Sequence, residues 1–388
     1  MISYNKTWLL NRKLQNELSK DLKHGLITSE EFNAAKEKYP DGFYSPNLVI
    51  RIGLFILTCI IVQFSFGLVS LMLDGSQIID TLGWLFFLGI VSYIGLEISV
   101  NKSNHYRSGI DDALLFLSAC LFIYSFGILF SRGDHDMYYL WMSGLTFLLT
   151  VYLTLRFADV LMALTCIVSF FAFIFFSWTK IVPGLSTVPF VMMLVSGLTY
   201  WLAYAYSKRK EFVIYENCLI VIQIVCLGAL YAAGNFYIVQ TLSNQMTRQS
   251  KPIAFGAIFW VWTVLLPFVY IYFGIKKKDV ILLRIGLLLI AAAAVTFRTY
   301  YHILPLDVTL TIAGIIILGV VYALMKYLKT PKHGFTAKEL DNAHMMDHLK
   351  IESLLVAETF ANAPSAPANN GVEFGGGDFG GGGSSGGF

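Results

Sequence analysis

Charge is what this chain has least of. Asp, Glu, Lys and Arg together make up 14% of its 388 residues, where soluble domains carry about 25%. That scarcity excludes an ordinary water-soluble fold. No run of like charge is long enough for a nucleic-acid-binding arm, and the net charge of +3 is small; no nucleic-acid partner is expected. Cysteine is sparse too. Cys59, Cys120, Cys166, Cys218 and Cys226 form no CxxC pair, which excludes a disulfide framework or zinc knuckle and leaves them as small packing residues. Catalytic signatures are missing as well: there is no HExxH, no Walker A and no GxGxxG at a strand–helix junction. A formal GxSxG at Gly382 to Gly386 falls in a glycine-rich tail and is compositional. No cofactor, metal or catalytic residue is assigned.

What the chain has in abundance is apolar length. Hydrophobic residues account for 56% and aromatic ones for 15%, gathered into runs at 48–73, 79–99, 109–131, 138–156, 157–179, 185–206, 212–233, 252–274, 280–297 and 306–328. About 20 apolar residues span the hydrocarbon core at the helical rise of 1.5 Å per residue. The fold expected is therefore all-α: a polytopic transmembrane helix bundle of about ten spans arranged as five hairpins, with small cytoplasmic helical flanks. An even count puts both termini on one side of the membrane. Of the 28 Lys and Arg residues, 21 fall on the side of the N-terminus, among them Lys102, Arg107, Arg156, Lys208 to Lys210 and Lys276 to Lys278. By the positive-inside rule that side is the cytoplasm, so the chain is expected in a cell (cytoplasmic or inner) membrane with the bilayer as its first partner. Met1 to Leu10 lacks the order of a cleavable signal peptide, and the first span is expected to stay as an anchor. Trp84, Trp141 and Trp178 lie at the other ends of their spans, at headgroup depth.

The junctions on the basic side repeat. A Tyr near the end of a span is followed by basic residues and then by an acid: Tyr93 to Asp111, Tyr152 to Asp159, Tyr206 to Glu211 and Tyr272 to Asp279. Duplication of a two-helix unit would produce this. So would an aromatic belt, a basic loop and an acid favoured by the helix macrodipole.

Four segments follow: a cytoplasmic helical hairpin (1–47), the ten-span domain (48–328), an amphipathic helix (329–362) and a Gly/Phe-rich tail (363–388). In the first, Leu10, Leu14, Leu18 and Leu22 recur every four residues, and Thr28-Ser29-Glu30-Glu31 forms a capping box with Ile27 and Phe32 placed as a staple. So short a hairpin cannot bury a stable core alone and needs a partner, another subunit or the membrane domain to dock on. The fourth segment, with ten glycines in its last 18 residues, cannot form a core and is expected to be disordered. Segments 1–47 and 363–388 are the candidate surfaces for protein partners or self-association.

The stretch Gly25-Leu26-Ile27-Thr28-Ser29-Glu30-Glu31-Phe32, followed by Lys36, resembles short helical oligomerisation modules of bacteria. Ahead of an apolar helix array, and with a glycine-aromatic tail behind it, it resembles a bacterial multi-pass membrane protein family of unknown function. The resemblance implies the architecture and implies no activity.

Ionisable residues within spans are costly and are candidate functional groups. Arg51, Glu97, Asp111, Asp112, Asp159, Glu216 and Arg284 all lie within about two turns of a cytoplasmic helix end, leaving the midplane uncharged. Three readings fit: a vestibule for a polar or cationic headgroup, a structural belt of ion pairs and helix caps, or a pore gate. Glu216 with Gln223, seven residues on and on the same face, is the leading candidate pair. Weaker sites are Asp80 with Arg298, Tyr300, Tyr301, His302 and Asp307 on the opposite side; the turn Arg132 to Asp136; and the stripe Asp341, His344, His348 and Glu352. On balance the chain is expected to be a non-enzymatic assembly or scaffold component organised from the cytoplasmic side, with a transporter or lipid-handling protein as the alternative and a membrane enzyme third.

Overall fold

In the computed structural model the described residues are 2–73, 82–131, 135–181, 184–247, 253, 255–301 and scattered positions between 308 and 326. The tenth apolar run, the amphipathic helix 329–362, the tail, and the candidates Asp80, Arg132 to Asp134, His302, Asp307 and Asp341 to Glu352 lie outside them in whole or in part.

Among the described residues the chain is helical, and its one extended pairing is an isolated parallel bridge between Tyr44 and His105. Two short helices, α1 (Lys6–Lys23) and α2 (Ser29–Lys38), precede α3 (Leu48–Met72), α4 (Leu82–Ser103), α5 (Ile110–Ser131), α6 (His135–Phe157), α7 (Val160–Thr179) and α8 (Gly184–Ser207). A 3₁₀ segment (Lys210–Tyr215) leads into α9 (Glu216–Gly234), followed by α10 (Phe236–Thr247), α11 (Gly256–Lys277) and α12 (Val280–Tyr301). Nine helices among the described residues are long and apolar enough to cross a membrane, so the chain is a multi-pass membrane protein. The first nine apolar runs each correspond to one of them.

The helix starts are written in the sequence. Thr28 and Glu31 form the expected capping box on α2, Asn47 accepts from the Ile50 amide at α3, and Asp159 accepts from the Met162 amide at α7. Asp279 does the same for Ile281 and Leu282 at α12. Each side chain satisfies amides that the first helical turn leaves open. Two of the four junction acids are thus true caps; Asp111 folds back on the Arg107 and Ser108 amides instead, and Glu211 stands exposed in the 3₁₀ segment.

The tightest helix pairs are α4–α5, α6–α7, α8–α9 and α11–α12. Each pair is joined through one of the Tyr–basic–acid junctions, so these hairpins close on the side that carries the N-terminus, hereafter the N-terminal face. In lipid there is little hydrophobic drive between helices, and close packing at small residues does the work. A Cβ on Gly274 of α11 would lie 2.8 Å from the Leu283 nitrogen of α12, and one on Gly286 would lie 2.8 Å from Ile271. α3 stands apart. It has no buried residue and meets the bundle along α5, where Phe55 and Phe116 are 6.1 Å apart.

One helix escaped the apolar pattern. α10 is too short and polar to cross a bilayer, and it fills what the sequence reads as a plain loop between the seventh and eighth runs. Asn235, 1% exposed, separates it from α9 and accepts from the Ile238 amide to start it. The five cysteines are free; Cys218 and Cys226 are buried.

Candidate functional site

The N-terminal face carries a continuous polar layer, and the N-terminal segment is woven into it. At its centre is Glu97, near the end of α4. Arg156, the next-to-last residue of α6, grips it with two prongs, Nε to Oε1 at 2.8 Å and an η-nitrogen to Oε2 at 2.9 Å. The Tyr93 hydroxyl, one helical turn back, donates to Oε1 at 2.7 Å, and Asn101, one turn on, donates to Oε2 at 2.8 Å. The Ser3 hydroxyl adds a third contact to Oε2 at 3.1 Å, while the Ser3 amide donates to the Arg156 carbonyl at 2.9 Å. Tyr93 and Tyr152 hydroxyls meet at 2.6 Å. Tyr93, Glu97 and Asn101 share one helical stripe because they are four residues apart, and Tyr152 and Arg156 repeat that spacing on the facing helix.

A second centre lies in the loop between α4 and α5. Asp111 accepts from the Arg107 amide (2.7 Å), the Ser108 amide (2.8 Å) and the Ser108 hydroxyl (2.8 Å). Tyr4 reaches it from the N-terminus at 3.4 Å. Tyr4 is 8% exposed, and burial, followed by the Asp111 charge, holds its phenol well above the usual tyrosine range. Beside it, Asp112 pairs with Arg51 of α3 through two nitrogens, each at 2.8 Å. The turn that presents both acids needs Gly109, whose φ is +94° and whose absent Cβ would lie 2.1 Å from the Arg51 carbonyl oxygen.

Asp159 caps α7 in the two-residue break after α6. Burial raises its carboxyl above the usual aspartate range, against the Met162 amide, which lowers it; the Asp112 charge adds to the rise. The Arg107 guanidinium is pushed down by burial, but the surrounding Tyr106, Asp159 and Asp112 outweigh this and it ends above its ordinary value. Burial thus disfavours the charged form of Asp159, while the anionic surroundings favour the charged form of Arg107.

Glu216, at the first position of α9, is bound by Lys13 of α1. With Tyr4, Leu9 and Trp8, whose ring meets Phe43 edge-on at 5.4 Å, that pair lays α1 on the membrane domain of its own chain. Gln223 is 3% exposed inside the bundle, whereas the Glu216 side chain is 48% exposed. The two share a helix and nothing else: Glu216 turns to α1. Arg284 is partly buried in α12.

Of the eight candidate residues, the structure thus brings together Glu97 with Arg156, Arg51 with Asp112, and Asp111 and Asp159 around Arg107. Partners that the apolar-span argument passed over are Ser3, Tyr4, Lys13, Tyr93, Asn101 and Arg156. The four-residue spacing of Tyr93, Glu97 and Asn101 was the available signal for two of them, Tyr93 and Asn101; Ser3 and Tyr4 come from a segment without periodicity.

A second polar knot sits at the opposite face. Asn235 donates to the Tyr231 hydroxyl (3.0 Å) and the Thr296 hydroxyl (2.9 Å), while the Phe236 amide donates to Thr263 at 3.0 Å. Four helices, α9 to α12, meet there. An open apolar groove of about 480 Å³, lined by Trp260, Val261, Val264, Leu265, Phe268 and Phe297, runs along α11 and α12; it suits acyl chains and offers no charged group to a polar ligand.

No protein-family model, curated protein or solved structure matches the chain.

Proposed function

We propose that this chain is a non-enzymatic assembly component of a bacterial cytoplasmic membrane, organised from its cytoplasmic side through segments 1–47 and 363–388. The observation that carries the reading is the saturation of Glu97. Arg156, Tyr93, Asn101 and Ser3 all donate to its two oxygens, which leaves the carboxylate little capacity for a substrate. The same bonds fasten the N-terminal segment to the bundle. α2, with no buried residue, and Leu26, 70% exposed, are then held out from the membrane domain as a surface for protein contact.

The test is crosslinking of the full chain in its native membranes beside a variant lacking residues 363–388 and a Leu26→Asp variant. Discrete crosslinked species present with the full chain should fall several-fold in both variants. An unchanged set of species in both would overturn the reading.

A transporter or lipid-handling role through a vestibule is the second reading. It draws on buried polar atoms that have no hydrogen-bond partner among the described residues: Ser99 Oγ, His105 Nδ1 and Thr154 Oγ1 toward the N-terminal face, and Ser196 Oγ in α8. Such atoms are costly unless water or a ligand meets them. Lipid or solute exchange in proteoliposomes that is lost in Thr154→Val but kept in the tailless variant would favour this second reading over the first.

A further inference from the structure

Two turns remote in sequence bring like charges together. α8 ends with the Ser207 hydroxyl on the Tyr204 carbonyl at 2.9 Å, and the Arg209 amide returns to the Tyr206 carbonyl at 3.0 Å. The chain is thereby tucked close under the helix. α11 ends on Lys278 in the left-handed region, φ 56°, with the Asp279 amide closing on the Gly274 carbonyl at 2.9 Å. As a result Lys208 and Lys277 share one ring: their ammonium nitrogens lie 4.2 and 5.6 Å from the Tyr204 centroid. Around them, Arg209 lies over Tyr206 at 5.0 Å and Lys276 over Tyr272 at 5.8 Å.

Among the described residues no acid forms an ion pair with Lys208, Arg209, Lys276 or Lys277. The nearby Asp279 directs its carboxylate to the first amides of α12, and Glu216 is taken by Lys13. Two ammonium groups held at one ring are no more than about 10 Å apart, comparable with the screening length, and repel. The electron-rich face of Tyr204 offsets part of that repulsion, and an anion seated between the two cations would remove the rest. Topogenesis requires only that basic residues stand in these loops; it does not require them to converge. The exposed Trp201, three residues before Tyr204 on α8, and the exposed Phe273 on α11, whose ring centroid lies 5.6 Å from the Lys277 ammonium, place apolar surface beside the charges. That arrangement suits an anion carrying acyl chains better than a soluble one.

We propose that Lys208 and Lys277, gathered at the Tyr204 ring, bind the phosphodiester headgroup of an anionic phospholipid whose chains lie along the exposed sides of α8 and α11. The full chain is taken from nanodiscs of mixed phosphatidylcholine and phosphatidylglycerol, and retained lipid is counted by native mass spectrometry. Phosphatidylglycerol should stay bound through mild delipidation and through added inorganic phosphate. The double variant Lys208→Gln/Lys277→Gln should retain it at least about tenfold more weakly. Lys208→Arg/Lys277→Arg should retain it, and the charge-matched control Lys36→Gln/Lys38→Gln on α2 should retain the lipid as the unaltered chain does. Equal loss in the control, no loss in the double variant, or displacement of the lipid by inorganic phosphate would each overturn the proposal. The variant lacking 363–388 should keep the lipid, so this site stands or falls apart from the assembly reading.

Discussion

Glu97 and Arg156, from helices of different hairpins, form a two-pronged ion pair whose side chains are only 20% and 30% exposed. Bidentate geometry is the favourable case for an Arg–carboxylate pair, and removing one partner of a sheltered pair costs more than the pair is worth because the other charge stays behind. Glu97→Gln should lower stability by about 2 kcal/mol, read as a drop of several degrees in thermal unfolding in detergent. Glu97→Gln/Arg156→Gln should recover part of that loss. Strictly additive effects of the two substitutions would refute the coupling.

Gly109 makes the junction between α3 and α5 possible. Alanine there combines an unfavourable positive φ, +94°, with a Cβ 2.1 Å from the Arg51 carbonyl oxygen, and the clash is with backbone that has no rotamer to escape into. Gly109→Ala should push α3 off α5 and break the Arg51–Asp112 pair. With the native cysteines replaced, Phe55→Cys and Phe116→Cys should crosslink efficiently with a short bifunctional reagent, and adding Gly109→Ala should cut the yield several-fold. An unchanged yield would mean that the turn can absorb the methyl group.

The spans were legible because apolar length at 1.5 Å per residue is a one-dimensional signal, as in the run from Leu48 to Met72, where Arg51 is the one charged residue. The caps at Thr28, Asp159 and Asp279 were legible because a cap is a contact over two or three residues. The partners of the polar layer were not: Ser3 finds Glu97 and Lys13 finds Glu216 across long stretches of chain, and no local pattern encodes such pairings. For the same reason the sequence placed Glu216 with Gln223, its neighbour along the helix, when α1 supplied a cation from outside. α10 was missed because its 12 residues are too short for a span and its second half is mostly polar, and its defining feature is the buried amide of Asn235.

That amide gives the third prediction. Asn235 is 1% exposed and links Tyr231 of α9, Thr296 of α12 and the Ile238 amide of α10. Asn235→Ala removes the cap and leaves the Thr296 hydroxyl and the Ile238 amide short of partners, at about 2 kcal/mol. Hydrogen exchange should accelerate first across Phe236–Thr247, with α4 to α7 little changed. Uniform acceleration over the whole chain would point to a global role for Asn235 rather than a local one.

The capping box of α2 gives a pH dependence with a definite sign. The Thr28 amide and hydroxyl both donate to Glu31, at 2.8 and 3.1 Å; the amide first and then the hydroxyl lower the Glu31 carboxyl from its ordinary value. A carboxyl lowered in the folded state contributes stability that is fully present above its unfolded pKa and is lost as pH falls through the folded one. α2 should therefore keep full protection at neutral pH and lose it on the acid side of the usual glutamate range. Because Glu31 is fully exposed, the loss should stay within the hairpin. In Glu31→Gln the neutral amide can still accept from Thr28, so the helix should form while its protection ceases to depend on Glu31 titration. Exchange rates of the amides from Ser29 to Lys38, followed from neutral to acid pH and corrected for intrinsic exchange, would test this. A pH profile identical in the two proteins would assign the acid sensitivity of α2 to another group.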